Sequence, residues 1–253
     1  MLAEERRRRV LQLVEREGRV VVKDLARRFS TSLITVRKDL EYLHQQGRIE
    51  RAHGGALPID AAALRDPTLR EKERLHRKEK LRIAAAAARL VRPGHVIILD
   101  SGTTSTAVAR ATKSTRNLTV ITNAVNIAAE LVGTDVEVIL TGGALRPNSF
   151  SLVGPLAEES LRYVTADLLF LAVDGFDLEY GLTTPNLLEA KVNRVMIDNA
   201  KTTIVVCDSS KFGRRSLSMI APTSAVHHTI TDGKVSQKYL RGLREAGVKV
   251  TVV

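Results

Sequence analysis

The chain has 253 residues, enough for two modest domains that each bury a core. Its 44% apolar content excludes a disordered chain. The longest apolar run, Ile83 to Val91, is cut by charge and far too short to span a membrane. The lone Cys207 excludes a disulfide framework and a cysteine-built metal site, no His/Cys/Asp cluster has zinc spacing, and neither metal nor cofactor is expected. The opening Glu4-Glu5-Arg6-Arg7-Arg8-Arg9 lacks the apolar stretch of a secretory signal, and the expected location is cytoplasmic.

The net charge of +11 is unevenly placed: residues 1–57 carry +5, residues 58–92 another +5, and the remaining stretch only +1. A polyanion is therefore the expected partner of the first third, and not of the rest.

In chain order, Val10, Leu11 and Val14 set a helical stripe over Leu2 to Glu17, stopped by Gly18. Val20-Val21-Val22 is a short β-type run. A second helix is expected over Lys23 to Phe29, with Leu25, Ala26 and Phe29 inward. Ser30-Thr31-Ser32 breaks the pattern, and Ser32 suits the N-cap of a third helix, Leu33 to Gln46, ended by Gly47. That helix buries Val36, Leu40 and Leu43. Arg48 to Ala52 alternates like a strand, and His53-Gly54-Gly55 is a tight turn. Three helices and a small hairpin within residues 1–57 follow the plan of a winged helix-turn-helix.

Stepping 100° per residue puts Ile34, Thr35, Arg37, Lys38 and Glu41 on the outer face of the third helix. Arg37 and Lys38 can bond guanine edges or phosphates, Thr35 a base or a phosphate, and Ser32 the backbone of the duplex. The turn at His53, Gly54 and Gly55, flanked by Arg48 and Arg51, can lie along the adjacent minor groove or its phosphates. Thr35-Val36-Arg37-Lys38-Asp39-Leu40, then Leu43, Gly47, Arg51 and His53-Gly54-Gly55-Ala56, resembles the N-terminal signature of DeoR-type transcription regulators. Val36 and Lys38 depart mildly from the family's Ile and Arg, Lys losing the bidentate fork. The resemblance implies binding to a double-stranded operator, usually for repression.

Residues 58–74, punctuated by Pro58 and Pro67, read as a linker. An Arg-rich helix is expected from Glu71 to Leu90, as hinge, interface or plain solvated helix. Over 75–253, strands are expected at Val96–Leu99, Leu118–Ile121, Val136–Leu140, Leu168–Val173, Thr203–Cys207, His228–Ile230 and Val248–Val252, mostly separated by helices. That rhythm implies an α/β, Rossmann-like domain with a mostly parallel sheet.

Ligands of such sheets sit beyond the carboxyl ends of the strands. Five successive strand ends here are small, polar or charged: Asp100-Ser101-Gly102-Thr103-Thr104, Thr122-Asn123, Thr141-Gly142-Gly143, Asp174-Gly175 and Asp208-Ser209-Ser210-Lys211. The first opens a helix and suits an anion, while Lys211 can pair with a phosphate or carboxylate and Asp100 and Asp174 can accept from hydroxyls.

These segments also resemble the sensor domain of DeoR-type regulators, through Leu99–Ser105, Val120–Asn123, Leu140–Ala144, Gly181–Pro185 with Glu189, and Asp208–Gly213. The resemblance implies a fold like the sugar-phosphate isomerases and CoA-transferases. It also implies a phosphorylated sugar or related effector with its phosphate on Ser101 to Thr104, facing Glu189 and Lys211. Lys191 and Asn193 stand where the family varies. Two functions are then open: a ligand-gated regulator, or an isomerase-like enzyme with an appended DNA-binding module. The dedicated DNA-binding domain favours the regulator. One winged helix covers a short site, so a homo-oligomer, dimer or tetramer, is expected.

Overall fold

The computed structural model describes residues 2–46, 48–52, 54–58 and 66–253, and divides into two compact units, Met1–Arg65 and Asp66–Val253.

In the first unit, helix α1 (Ala3–Glu17) buries Val10, Leu13 and Val14 and ends at Gly18, whose φ of 68° returns its N–H to the Val14 carbonyl. The valine run splits: strand β1 is Val20–Val21, and Val22 begins helix α2 (Val22–Arg28). Helix α3 (Leu33–Gln45) starts where Ser32 Oγ accepts the Thr35 N–H at 3.1 Å. Strands β2 (Glu50–Ala52) and β3 (Gly55–Leu57) form the expected hairpin, and β1 joins it to give the order β1-β3-β2. Gly55 has no room for a side chain, since a Cβ there would stand 1.9 Å from the Val20 carbonyl oxygen. Val36, Leu40 and Leu43 of α3 meet Val10, Val14, Leu25 and Ile49 in one core.

The second unit is built on seven parallel strands: β4 (Val96–Leu99), β5 (Thr119–Thr122), β6 (Glu137–Leu140), β9 (Ala166–Leu171), β12 (Ala200–Val206), β14 (His228–Thr231) and β15 (Lys249–Val252). Their order is β15-β14-β12-β9-β4-β5-β6. Successive residues of a strand face opposite layers, and here both layers are apolar. Ile97, Leu99, Phe170, Ile204 and Val206 fill one core, and Ile98, Leu169, Leu171 and Val205 the other. Each of these fully buried side chains contributes about 1.5–3 kcal/mol.

From β4 the chain steps outward to β5 and β6, then returns to the other side of β4 with β9 and continues to β15. The reversal puts a crevice beyond the carboxyl ends of β4 and β9, the place where such sheets bind ligands. Sequence periodicity missed the smaller pieces around it, a hairpin of β7 (Ala144–Arg146) and β8 (Ser151–Val153) and an antiparallel sheet of β10 (Gly175–Asp177), β11 (Gly181–Thr184) and β13 (Ser218–Ala221).

Two expectations need correction. Residues 66–74, read as linker, belong to the second unit: helix α4 (Leu69–Arg74) is opened by a Thr68–Glu71 capping box, and the Leu69 N–H donates to the Asn148 carbonyl at 2.6 Å. Nor is Glu71–Leu90 one helix. Leu75 is extended and His76 left-handed, and the next helix, α5, is Arg77–Ala88.

Candidate functional site

On α3 the outward face carries Ile34, 65% exposed, with Arg37, Lys38 and Glu41 beside it. Thr35 is half-buried, and its hydroxyl lies 2.9 Å from that of Ser32, so it supports the cap more than it faces outward. Arg48 and Gly54 are exposed. Arg51 instead braces the wing, donating to the Arg37 carbonyl at 3.1 Å and standing 3.7 Å from Glu41. Gly55 is buried by its close approach to β1, and His53 lies outside the described residues. Asp39, within the same motif, faces inward. It receives Arg6 and Arg7 of α1, the latter at 2.9 Å, while the Arg7 guanidinium sits 3.8 Å over the Tyr42 ring. This aspartate sets α3 against α1.

In the second unit, a cavity occupies the crevice between β4 and β9. Asp100, Ser101, Gly102, Thr103 and Thr104 line it from the β4 end, Asp174 from the β9 end, Lys211 from the β12 end, and Glu189 from helix α7 (Leu187–Asp198). Helix α6 (Thr103–Thr112) has no side-chain cap, so no side chain satisfies its first-turn N–H groups. Gly102 is required because a Cβ there would come within 2.8 Å of Ala172 Cβ.

Four expected residues do not line the cavity: Thr122, Asn123, Gly142 and Gly143. They follow β5 and β6, on the side of β4 away from the reversal. There they serve the backbone. Thr122 accepts the Ala124 N–H at 3.1 Å, and Asn123 donates to the Leu152 carbonyl at 3.1 Å. Gly142 packs near Leu156, and Gly143, at φ 125°, lies against Val153.

Sequence reasoning left Lys72, Lys80, Asn148, Ser149 and Asn193 out of the site, although all of them line it, as does Asp208 of the β12 end. Lys72 comes from α4 and pairs with Asp174 at 2.7 Å; Lys211 approaches the same carboxylate at 3.7 Å. Burial alone would raise Asp174, but Lys72 and Lys211 outweigh it and hold the carboxyl at about 2. Burial would likewise lower Lys72, and Asp174, Glu189 and Asp66 instead raise it. Lys80, from α5, donates to the Lys72 carbonyl at 2.6 Å. Its burial, abetted by Lys211 and Lys72, pulls it down to about 8.

Asp100 is pushed well above the usual carboxylate range by burial, against hydrogen bonds from Ser105 and from the Ala172 N–H at 3.0 Å. Those bonds tie the β4 and β9 ends together. Glu189 accepts from Ser151 at 2.8 Å and Thr184 at 3.3 Å, and pairs with Arg146, which also holds Asp66. The signal available for α4 was the T-x-x-E box at Thr68. Nothing in the sequence tied Lys72 to Asp174, 102 positions away.

A helix-turn-helix with a basic outer face, followed by an α/β unit holding a polar cavity at its topological switch point, defines a DNA-binding regulator with a small-molecule sensor. Comparisons with known proteins agree. Residues 6–62 match the DeoR-like helix-turn-helix domain and residues 75–233 the DeoR C-terminal sensor domain. A putative aga operon transcriptional repressor of Escherichia coli O157:H7 is 42% identical over 98% of this chain and 93% of its own. The HTH-type transcriptional regulator GlpR of Haloferax volcanii is 38% identical over 99% and 98%. Among solved structures, ribose 5-phosphate isomerase A from Methanocaldococcus jannaschii aligns over 53% of each chain with a TM-score of 0.39 and 18% identity. The chain belongs to the DeoR family of transcription regulators, and it is a regulator rather than an enzyme. Among the described residues, no helix is long and apolar enough to cross a membrane.

Proposed function

We propose that this chain is a cytoplasmic repressor of a sugar-metabolism operon whose affinity for its operator is set by a phosphorylated sugar or related metabolite. The observation that carries this reading is the cavity, where the uncapped N-terminus of α6 and three lysines, Lys72, Lys80 and Lys211, share one lining. An anion entering it gains the helix dipole and charge-assisted hydrogen bonds. Ser101 to Thr104 hold the phosphate, with Asp100, Asp174, Glu189 and Lys211 around the rest of the effector.

On the DNA side, Ile34, Arg37 and Lys38 meet the major groove. Ser32, Thr35, Arg48, Arg51 and the wing turn at His53, Gly54 and Gly55 meet or support the backbone contacts. A homo-oligomer supplies the second half-site. Effector and operator then bias one equilibrium in opposite directions, each weakening the other by the same factor.

The test is thermal unfolding of the full chain with D-glucose 6-phosphate, D-fructose 6-phosphate, D-fructose 1,6-bisphosphate, D-glucosamine 6-phosphate and their unphosphorylated sugars. An operator titration with and without any stabilising compound follows. A rise in unfolding temperature confined to a phosphorylated member, with weakened operator binding, is expected. A compound that stabilises the chain but leaves operator affinity unchanged would defeat the reading.

A further inference from the structure

Among the described residues, the cavity lining contains one buried amide oxygen that the protein leaves without a hydrogen bond. Asn193 is 5% exposed, lines the cavity, and lies one turn beyond Glu189 on the same face of α7. Its Oδ1 is buried and has no hydrogen-bond partner. The other acidic and amide side chains of the lining are each bonded: Asp100 to Ser105, Asn148 to Asp66, Asp174 to Thr184, Glu189 to Ser151, and Asp208 to Ser210. Among the described residues, Asn193 is the one such group without a side-chain hydrogen bond.

More than nine in ten buried polar groups find a partner, because an unmet one forfeits its hydration. Leaving a bare carbonyl in the wall of a cavity, beside a carboxylate that the fold satisfies with care, makes sense if a guest supplies the missing donor. The uncapped α6 N-terminus and the lysines, two of them shared with Asp174, suit an anionic group on the guest. An inorganic anion with no hydroxyl on a carbon frame meets the lysines and leaves Asn193 unmet; a phosphorylated polyol or sugar meets both.

Resting on the effector reading above, we infer that Asn193 is a specificity-determining residue of this site. Its side-chain amide accepts a hydrogen bond from an effector hydroxyl, which selects a hydroxylated phosphate ester over phosphate alone.

Calorimetric titration of the full chain and its Asn193→Leu variant tests this, using the phosphorylated member of the panel that binds wild type most tightly and, separately, inorganic phosphate. The expected result is a loss of about tenfold or more for the sugar phosphate, with inorganic phosphate changed by less than about twofold. The unfolding midpoint of the unliganded variant should stay level or rise, because an unmet buried group has been removed. Asn193→Ala provides the same readings if leucine proves too bulky to fold. A deoxy analogue lacking the selected hydroxyl should bind wild type and Asn193→Leu alike. Equal weakening of both ligands, or a lowered midpoint in both variants, would make Asn193 a structural residue and overturn the inference. So would an unchanged affinity for the sugar phosphate. A wild-type chain silent to every compound sinks the effector reading itself, whereas a responsive wild type with an indifferent variant sinks only the role of Asn193.

Discussion

Each unit holds an aspartate between two cations, and the two arrangements serve different ends. Asp39 is 3% exposed and takes two arginines from a single neighbouring helix. Asp174 is 18% exposed, opens onto a cavity, and takes two lysines from segments far apart in the chain. A guanidinium is a rigid planar fork suited to fixing one element on another, while an ammonium on a flexible stem can exchange one anion for another. The first pairing is architecture. The second is a set of charges held ready, with Asp174 occupying the place beside Lys72 and Lys211 that a bound anion would contest.

The sharpest way to break this comparison is Asp39→Ala. Removing the carboxylate on which Arg6 and Arg7 converge should cost the first unit about 3 kcal/mol, as for other opened buried pairs. Calorimetry of the full chain should show the loss in the transition of the DNA-binding unit, with the response to sugar phosphates intact. An unshifted transition would show that the pairing is not what holds α3 on α1. Arg37→Ala, two residues earlier on the exposed face, should do the opposite. Operator affinity falls by about 1–3 kcal/mol while stability stays level. If Arg37→Ala instead lowers the melting temperature as Asp39→Ala does, the division of α3 into a structural and a reading face is wrong.

The same contrast explains what the sequence disclosed. The inner strands of the parallel sheet were legible because burial on both faces writes a continuous apolar run, as in Ile97-Ile98-Leu99, and the half-exposed edge strands β6 and β15 through their β-branched and leucine residues. The α3 face was legible because Val36, Leu40 and Leu43 keep helical spacing. Asp39 was not, since an aspartate inside a basic motif reads as solvent-facing until α1 brings Arg6 and Arg7 over it. Strand ends were all treated alike, yet those of β4, β9 and β12 reach the cavity while those of β5 and β6 do not. Strand order decides this, and local sequence does not encode it, so Thr122, Asn123, Gly142 and Gly143 were included and Lys72 and Lys80 were not.

Asp174 offers the next test. Its folded value of about 2 lies below the ordinary 3.8, so the unfolded chain binds the extra proton. The resulting stability, about 2 kcal/mol, is present above the ordinary carboxylate value and is lost as pH falls toward 2. Asp174→Asn should be less stable than wild type at neutral pH by a similar amount and should lack that part of the acid dependence. Denaturant titrations from about pH 6 down to about pH 3 read both. Parallel curves for the two proteins would mean that Lys72 and Lys211 do not hold Asp174 in solution.

The test most telling about the cavity belongs to Lys80. Its folded value, about 8, lies below the ordinary 10.5, so between those limits the unfolded chain binds more protons and the unliganded protein gains stability as pH rises. Anion binding should run the other way. Above about 8 the amine is neutral and must be recharged before it can pair, so affinity for a phosphorylated panel member should fall by up to tenfold per pH unit. Both slopes come from one proton, and Lys80→Met should flatten both together. Titrations at about pH 7.5, 8.5 and 9.5 separate the cases. If only the stability slope flattens, Lys80 is a buried amine that the effector does not touch. If both flatten, the lysine that the sequence hid in a helical charge run is part of what reads the effector.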